Sequence, residues 1–316
     1  MALPTRSIHV VAGVITDARG RVLLNRRTES RDMAGLWEFP GGKREPGESS
    51  EQALARELHE ELGIEAEIGS WIMDVPQLYP DKQLTLEVRH VRSWKGMPRG
   101  REGQAITWVA PDKLSRYSMP PADLPVVAAL REPASYLVLP PPGRDAGARQ
   151  QWLEQVHALV RAGFERIRLS VPNADPARRE LIVQAIRGQR APVQWLIDAD
   201  LELARELGAG VHLDGAELAT LAERPLPPGQ LLAASCSDLA QLQDAQRLGC
   251  DFAVLGVAPD AATGRSGAAL AWPAFAALRA RVALPLYVPG ESSDEGAVSM
   301  ARRHGAQGIA APPPSG

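Results

Sequence analysis

Two cysteines in 316 residues are too few for a disulfide framework or a cysteine-based zinc cluster, and they suit a reducing, cytoplasmic setting. No stretch approaches 18 uninterrupted apolar residues, so nothing reads as a membrane span. The first residues, MALPTRSIHVVAGVI, have no long apolar core behind a basic start, and they run directly into a strand pattern. Positive charge is not in excess either. The formal net charge is -3, which gives no polyanion-binding surface and argues against a nucleic acid polymer as partner. Histidine is scarce, and the six present show no metal-ligand spacing. The chain is longer than a single core usually supports, so two domains are expected.

What is present concentrates in residues 41–64, GGKREPGESSEQALARELHEELGI. From Glu51 to Leu62 there is no Gly, Pro or β-branched residue. Ser49 and Gln52 have capping-box spacing and Gly63 is placed to end the helix, so a helix of about three turns is predicted. At 100° per residue Leu54, Leu58 and Leu62 form one apolar stripe, with Glu57, Glu60 and Glu61 crowded beside it. Like charges at this spacing destabilise a helix, and a hard divalent cation, Mg2+ or Mn2+, removes the conflict while bridging to substrate phosphate. Arg56 stands one turn from Glu60 and can pair with it. Glu48 lies just before the helix, in a loop begun by Gly41 and Gly42, where the backbone can approach a ligand closely.

The full pattern reads G-x5-E-x7-R-E-aliphatic-x-E-E-x-G-aliphatic, from Gly42 to Ile64. Seven fixed residues at roughly 7% usage each match by chance about once in 10^8 starts. The pattern resembles the Nudix hydrolase signature without a departure. The likeness continues over most of residues 6–132 through LNRRTESRDMAGLWEFPGGK, YPDKQLTLEV, REGQ and MPPADLPVVAAL, and there it resembles the MutT branch, which cleaves 8-oxo-dGTP and so cleans the nucleotide pool. That resemblance implies metal ligands at the Gly41 carbonyl, Glu57, Glu60 and Glu61, with Glu102 as a later acid. It also places Arg27, Asp32, Glu38, Phe39, Pro40, Gly41 and Glu48 at or near the nucleotide. Among Glu48, Glu57 and Glu102 the spacing leaves the general base open. Asp32 departs from the family, where a His stands. Asp123 departs too, standing where an Asn reads the base with one donor and one acceptor. Two outcomes are open: Asp123 binds protonated, or the base sits differently.

Residues 9–17 and 21–27 read as a hairpin, and strand candidates follow at 65–73, 84–93 and 106–109, giving one α+β sheet with the helix packed on it. After the short connector 131–135 the pattern changes. Eight strand candidates, at 136–139, 166–171, 193–198, 210–213, 231–236, 252–258, 284–288 and 308–311, alternate with seven helical segments. This suggests a compact (β/α)8 barrel, with a doubly wound open sheet as the alternative. The expected domains are therefore 1–132 and 133–316. GVHL, AASCS, DFAVLGVAPDAATGRSG and PLYVPG resemble thiamine-phosphate synthase and the related thiazole tautomerase. The resemblance is worn. The basic strand end is replaced by Arg168-Leu169-Ser170-Val171-Pro172, and the Asn-Asp pair for Mg2+ by Asp198-Ala199 or by Asp198 and Asp200. Glu217, Ser235, Gly256 and Arg265 are the positions that match or substitute, while His212 reads as a packed residue. The losses argue against full synthase activity and imply a barrel that binds a thiamine phosphate or has a structural or regulatory role. The fusion also implies an alternative substrate for the first domain, a diphosphate of the thiamine pathway.

Overall fold

The structure is a computed structural model and describes residues 7–28, 33–79, 82–172, 175, 177–187, 189, 191–256 and 270–314. Its contacts divide it into two compact units, Met1–Glu132 with Arg302–Gly305, and Pro133–Ala301 with Ala306–Gly316.

The first unit contains β1 (Ser7–Ile15), β2 (Val22–Arg26), β3 (Trp37–Glu38), β4 (Gly41–Lys43), α1 (Ser50–Leu62), β5 (Glu65–Leu78), β6 (Gln83–Lys95), β7 (Ile106–Val109) and α2 (Leu124–Arg131). One sheet has the order β4-β1-β6-β5 and is mixed, since β1 runs parallel to β6 and antiparallel to β4. A second sheet has the order β3-β2-β7. This corrects both the single sheet and the hairpin expected from residues 9–27. The two strands lie in different sheets and their backbones pair only at the Thr16–Val22 bridge. The reason is burial on both faces of β1. Val11 and Ile15 pack against α1, whereas Ala12 and Val14 enter a second cluster with Met73, Val88 and Val126. A strand covered on both faces belongs in the interior of a sheet, and β1 is flanked on both edges.

Helix α1 forms as its sequence predicts. The Ser49 and Gln52 side chains complete a capping box, and Gly63 closes the helix at φ 70°. Its buried stripe of Ala53, Leu54, Leu58 and Leu62 seats it on Val11, Ile15, Leu23 and Val91. Each such leucine contributes about 1.5–3 kcal/mol by burial.

The second unit alternates β8 (Ser135–Leu139), α3 (Ala146–Arg161), β9 (Arg166–Leu169), α4 (Arg178–Ile186), β10 (Gln194–Asp198), α5 (Leu201–Leu207), β11 (Gly210–Leu213), α6 (Gly215–Thr220), β12 (Leu232–Cys236), α7 (Leu239–Arg247), β13 (Phe252–Leu255), α8 (Trp272–Arg279), β14 (Leu286–Pro289), α9 (Glu295–Arg303) and β15 (Gly308–Ala311). All eight expected strands are present and close into a parallel barrel, β10-β11-β12-β13-β14-β15-β8-β9, so the open-sheet alternative is excluded. Tyr136, Leu196, Ala233, Phe252, Tyr287 and Ala310 form one interior cluster. The fully buried Arg166 joins that interior, donating to the Tyr287 hydroxyl at 2.8 Å, with its guanidinium 4.4 Å from the centre of the Phe252 ring. Among the described residues no helix is long and apolar enough to cross a membrane.

Candidate active site

Strand β1 carries the loop of the site as well as the helix. β4 pairs with it so that Gly41 faces Ala12 and Gly42 faces Val11, and the Gly13 amide donates to the Pro40 carbonyl at 2.9 Å. Gly41 is required sterically by backbone, whereas Gly42 leaves open the space that the Glu57 carboxylate occupies. A Cβ on Gly41 would lie 2.1 Å from the Val11 carbonyl oxygen, and one on Gly42 would lie 2.2–2.4 Å from the carboxylate atoms of Glu57. The loop and the first acid of the helix thus occupy each other's side-chain space.

Arg56 organises the acids. Its Nε and Nη2 hold Glu48 at 2.8 and 3.0 Å, its Nη1 reaches Glu57 at 3.0 Å and Glu60 at 3.4 Å, and Nη2 also donates to the Lys43 carbonyl at 3.1 Å. The Arg56 hydrogen bonds, with a further one from the Glu45 amide, hold the Glu48 carboxyl down at about 2. The three helix acids are not equivalent. Glu61 is buried at 1% exposure and meets the Gly41 amide at 3.4 Å, whereas the Glu60 side chain is 53% exposed. Glu102 arrives from the loop before β7. Gln104 fixes it there, donating to the Glu61 carbonyl at 3.1 Å while accepting from the Glu102 amide at 2.8 Å.

Glu57, Glu60, Glu61 and the Gly41 carbonyl offer only hard oxygen, the chemistry of a Mg2+ or Mn2+ site, and the Gly42 cradle keeps one carboxylate against the loop; in this sense the residues fit the cation. Among the described residues no three acidic or histidine side chains already converge as a metal cluster.

Beside the acids lies a cavity of about 430 Å3, walled in part by Arg27, Glu38, Phe39, Gly41, Tyr79 and Asp123. An ion pair between Arg27 and Glu38 forms one wall. Asp123, at the N-terminus of α2, makes no side-chain cap bond to that helix. It turns inward, is 6% exposed, and accepts from the Phe39 amide at 3.2 Å. Burial and, next, the charge of Glu38 push its carboxyl up to about 8, against the pull of the Phe39 N–H and Arg27. Of the two outcomes left open by the sequence, this environment favours the protonated acid. Asp32 lies outside the described residues.

Three residues of this unit were missed in the sequence. Gln104 is one. Glu87, 9% exposed, accepts from Ser50 at 2.5 Å and Arg89 at 2.7 Å and pairs with His9 at 3.1 Å, tying the first turn of α1 to β6. Asn25, 2% exposed on an otherwise apolar strand, is the third. A lone polar residue within the apolar run VLLN was the available signal.

In the barrel the residues left from the synthase-like pattern are engaged with one another. Asp198 accepts from Arg168 at 2.5 Å and Ser170 at 2.8 Å. Asp200 caps α5 and takes Arg178 at 2.5 Å, and Glu217 closes the capping box of α6. His212 is packed as expected, 1% exposed between the Tyr136 hydroxyl at 2.9 Å and Ser235 at 2.8 Å, with burial holding its pKa well down. Arg265 lies outside the described residues.

Comparison with known proteins agrees with this division. The NUDIX domain family matches residues 11–129, and the thiamine monophosphate synthase family matches residues 136–312. A CTP pyrophosphohydrolase of Escherichia coli is 42% identical over 124 residues, covering 39% of this chain and 91% of its own. An 8-oxo-dGTP diphosphatase of the same organism is 37% identical over 126 residues, covering 40% and 98%. The solution structure of the E. coli ORF135 protein, 42% identical, covers 39% of this chain and 86% of its own with a TM-score of 0.36.

Proposed function

Since the chain belongs to the Nudix hydrolases through its N-terminal domain and carries a thiamine monophosphate synthase domain behind it, we propose that this acid-anhydride hydrolase uses Mg2+ to convert 8-oxo-dGTP and water to 8-oxo-dGMP and pyrophosphate. The observation that carries the choice of substrate is the buried Asp123 at the wall of the nucleotide-sized cavity. A protonated carboxyl offers one O–H donor and one carbonyl acceptor side by side. 8-Oxoguanine presents the complement, O6 as acceptor and N7–H as donor. Unmodified guanine has an acceptor at N7 and would face the carbonyl oxygen, leaving both unpaired.

When bound, the cation supplies positive charge to the phosphates and acidifies the attacking water. The chain's own residues do the rest. Glu57, Glu60, Glu61 and the Gly41 carbonyl would hold the cation, Arg56 keeps Glu48 and Glu57 in place, and Arg27 and Phe39 shape the cavity in which the base would be seated. Water attacks phosphorus, the P–O–P bridge breaks, and a carboxylate takes the water's proton. Glu48 is the weakest candidate for that base, because a carboxyl held at about 2 is a poor proton acceptor at neutral pH. Glu57 and Glu102 remain.

A second substrate follows from the same carboxyl. Cytosine places its N3 acceptor beside its N4 donor, the same complement, and one relative is named a CTP pyrophosphohydrolase. The test is kcat/KM on 8-oxo-dGTP, dGTP, CTP and thiamine-type diphosphates, each with Mg2+ and with EDTA. Preference for 8-oxo-dGTP over dGTP supports the first reading, preference for CTP the second. A thiamine-type diphosphate as best substrate overturns both and favours the pathway suggested by the fusion. For the barrel we propose ligand binding or scaffolding without synthase chemistry, since Asp198 and Asp200 already serve Arg168 and Arg178. Calorimetry of the full chain with thiamine phosphates separates the two.

A further inference from the structure

Behind the Arg27–Glu38 wall is a second, narrower slot that Asn25, Glu61, Glu102 and Gln104 share with Arg26 and Arg27, whose guanidinium groups are engaged with the Gly35 carbonyl and with Glu38. Strand alternation explains how Asn25 arrives there. Along β2, Leu23 faces α1 while Val22 and Leu24 face the other core, so Asn25 shares the face of Leu23 and looks toward the helix. It stands opposite Glu38 on β3 and Ile106 on β7 in register. Its side chain is almost fully buried, yet its Oδ1 accepts no hydrogen bond. The slot has no room for a water molecule that could satisfy it. Carboxylates cannot donate to it while ionised, so the partner suited to an amide oxygen beside Glu61 and Glu102 is a cation smaller than water.

We infer that Asn25 supplies a neutral side-chain oxygen to a divalent cation held between Glu61 and Glu102, extending the cation site from the signature helix onto strand β2. The inference rests on the metal-dependent reading above. A neutral ligand beside Glu61 and Glu102 adds coordination without adding like-charge repulsion.

The experiment is Mn2+ binding to the nucleotide-free full-length protein, read by the electron paramagnetic resonance signal of free Mn2+, with thermal unfolding in EDTA alongside. Asn25→Leu keeps the shape and removes the oxygen. It is expected to weaken Mn2+ at least about tenfold with no loss of thermal stability in EDTA, because the removed oxygen had no partner there. Asn25→Asp is expected to tighten Mn2+, and it carries the test alone if the Leu variant does not fold. Unchanged binding in Asn25→Leu, or weaker binding in Asn25→Asp, overturns the proposal; the latter is the result if Asn25 serves as a donor to the acids. Glu61→Gln separates the failures. If it loses Mn2+ while Asn25→Leu keeps it, the metal reading stands and Asn25 falls, and if wild type binds no Mn2+, both fall.

Discussion

The Arg56 guanidinium grips the Glu48 carboxylate as a fork, Nε to Oε1 at 2.8 Å and Nη2 to Oε2 at 3.0 Å, and its third nitrogen reaches Glu57. Two acids separated by a loop and two helical turns are thereby set relative to each other through one cation. The planar fork of an arginine is what makes this possible, since a lysine offers a single point of charge.

Arg56→Lys is accordingly expected to lower kcat by at least about tenfold even though the charge is kept. Steady-state kinetics with Mg2+ saturating would check it, and a wild-type kcat would mean that the fork is dispensable.

The acids themselves are expected to rank. Glu57→Gln and Glu61→Gln should each reduce turnover by about 10^3 or more, some 4 kcal/mol of barrier, whereas Glu48→Gln should cost less than either. Single-turnover rates on one substrate decide this. Near-normal activity of Glu61→Gln would refute its place in the metal site.

Gly42→Ala tests the cradle. Its Cβ falls on the Glu57 carboxylate, so that side chain must move, and a loss of about 10^2 in kcat/KM with weaker Mg2+ activation is expected. A Mg2+ titration of the rate gives the answer.

Asp123 makes stability and selectivity depend on pH together. Its folded value is about 8 against the ordinary 3.8 of an aspartate in the unfolded chain, so between those two values the folded protein keeps a proton that the unfolded chain has released. Stability from this group therefore falls as pH rises through that window and is flat above it. Asp123→Asn should flatten the dependence of Tm on pH between about 5 and 8, and preserve preference for 8-oxo-dGTP above pH 8, where wild type loses it. Parallel pH profiles of the two proteins would fail to differ if Asp123 were ionised throughout.

In the barrel, Asp198→Ala leaves Arg168 without its carboxylate partner and should lower stability by about 2 kcal/mol, discounted for the partial exposure of the pair. Hydrolase kcat should not change. Denaturant unfolding and the turnover assay measure the two effects, and a variant of unchanged stability would show the pair to be incidental.

Much of this was legible in the chain itself. The signature helix declared its start at Ser49, its end at Gly63 and its buried stripe, because caps and periodicity are local properties. The eight barrel strands were readable for the same reason, each a short apolar run between turns. Pairing is not local. β1 and β2 looked like a hairpin, and only the burial of Val11 and Val14 on opposite faces showed why β1 takes β4 and β6 instead. The acids were visible in sequence as a set, but not their differences. Glu61 is buried and Glu60 exposed because α1 turns one toward the loop and the other to solvent.

Local pattern in the chain sets the chemistry on offer: oxygen ligands at helical spacing, glycines where the backbone must come close, and a worn barrel after them in the chain. The surroundings of the polar atoms of Asp123, Asn25 and Asp198 arise only on folding. Desolvation and charge neighbours come from strands and helices far away in the chain, and no local pattern carries them.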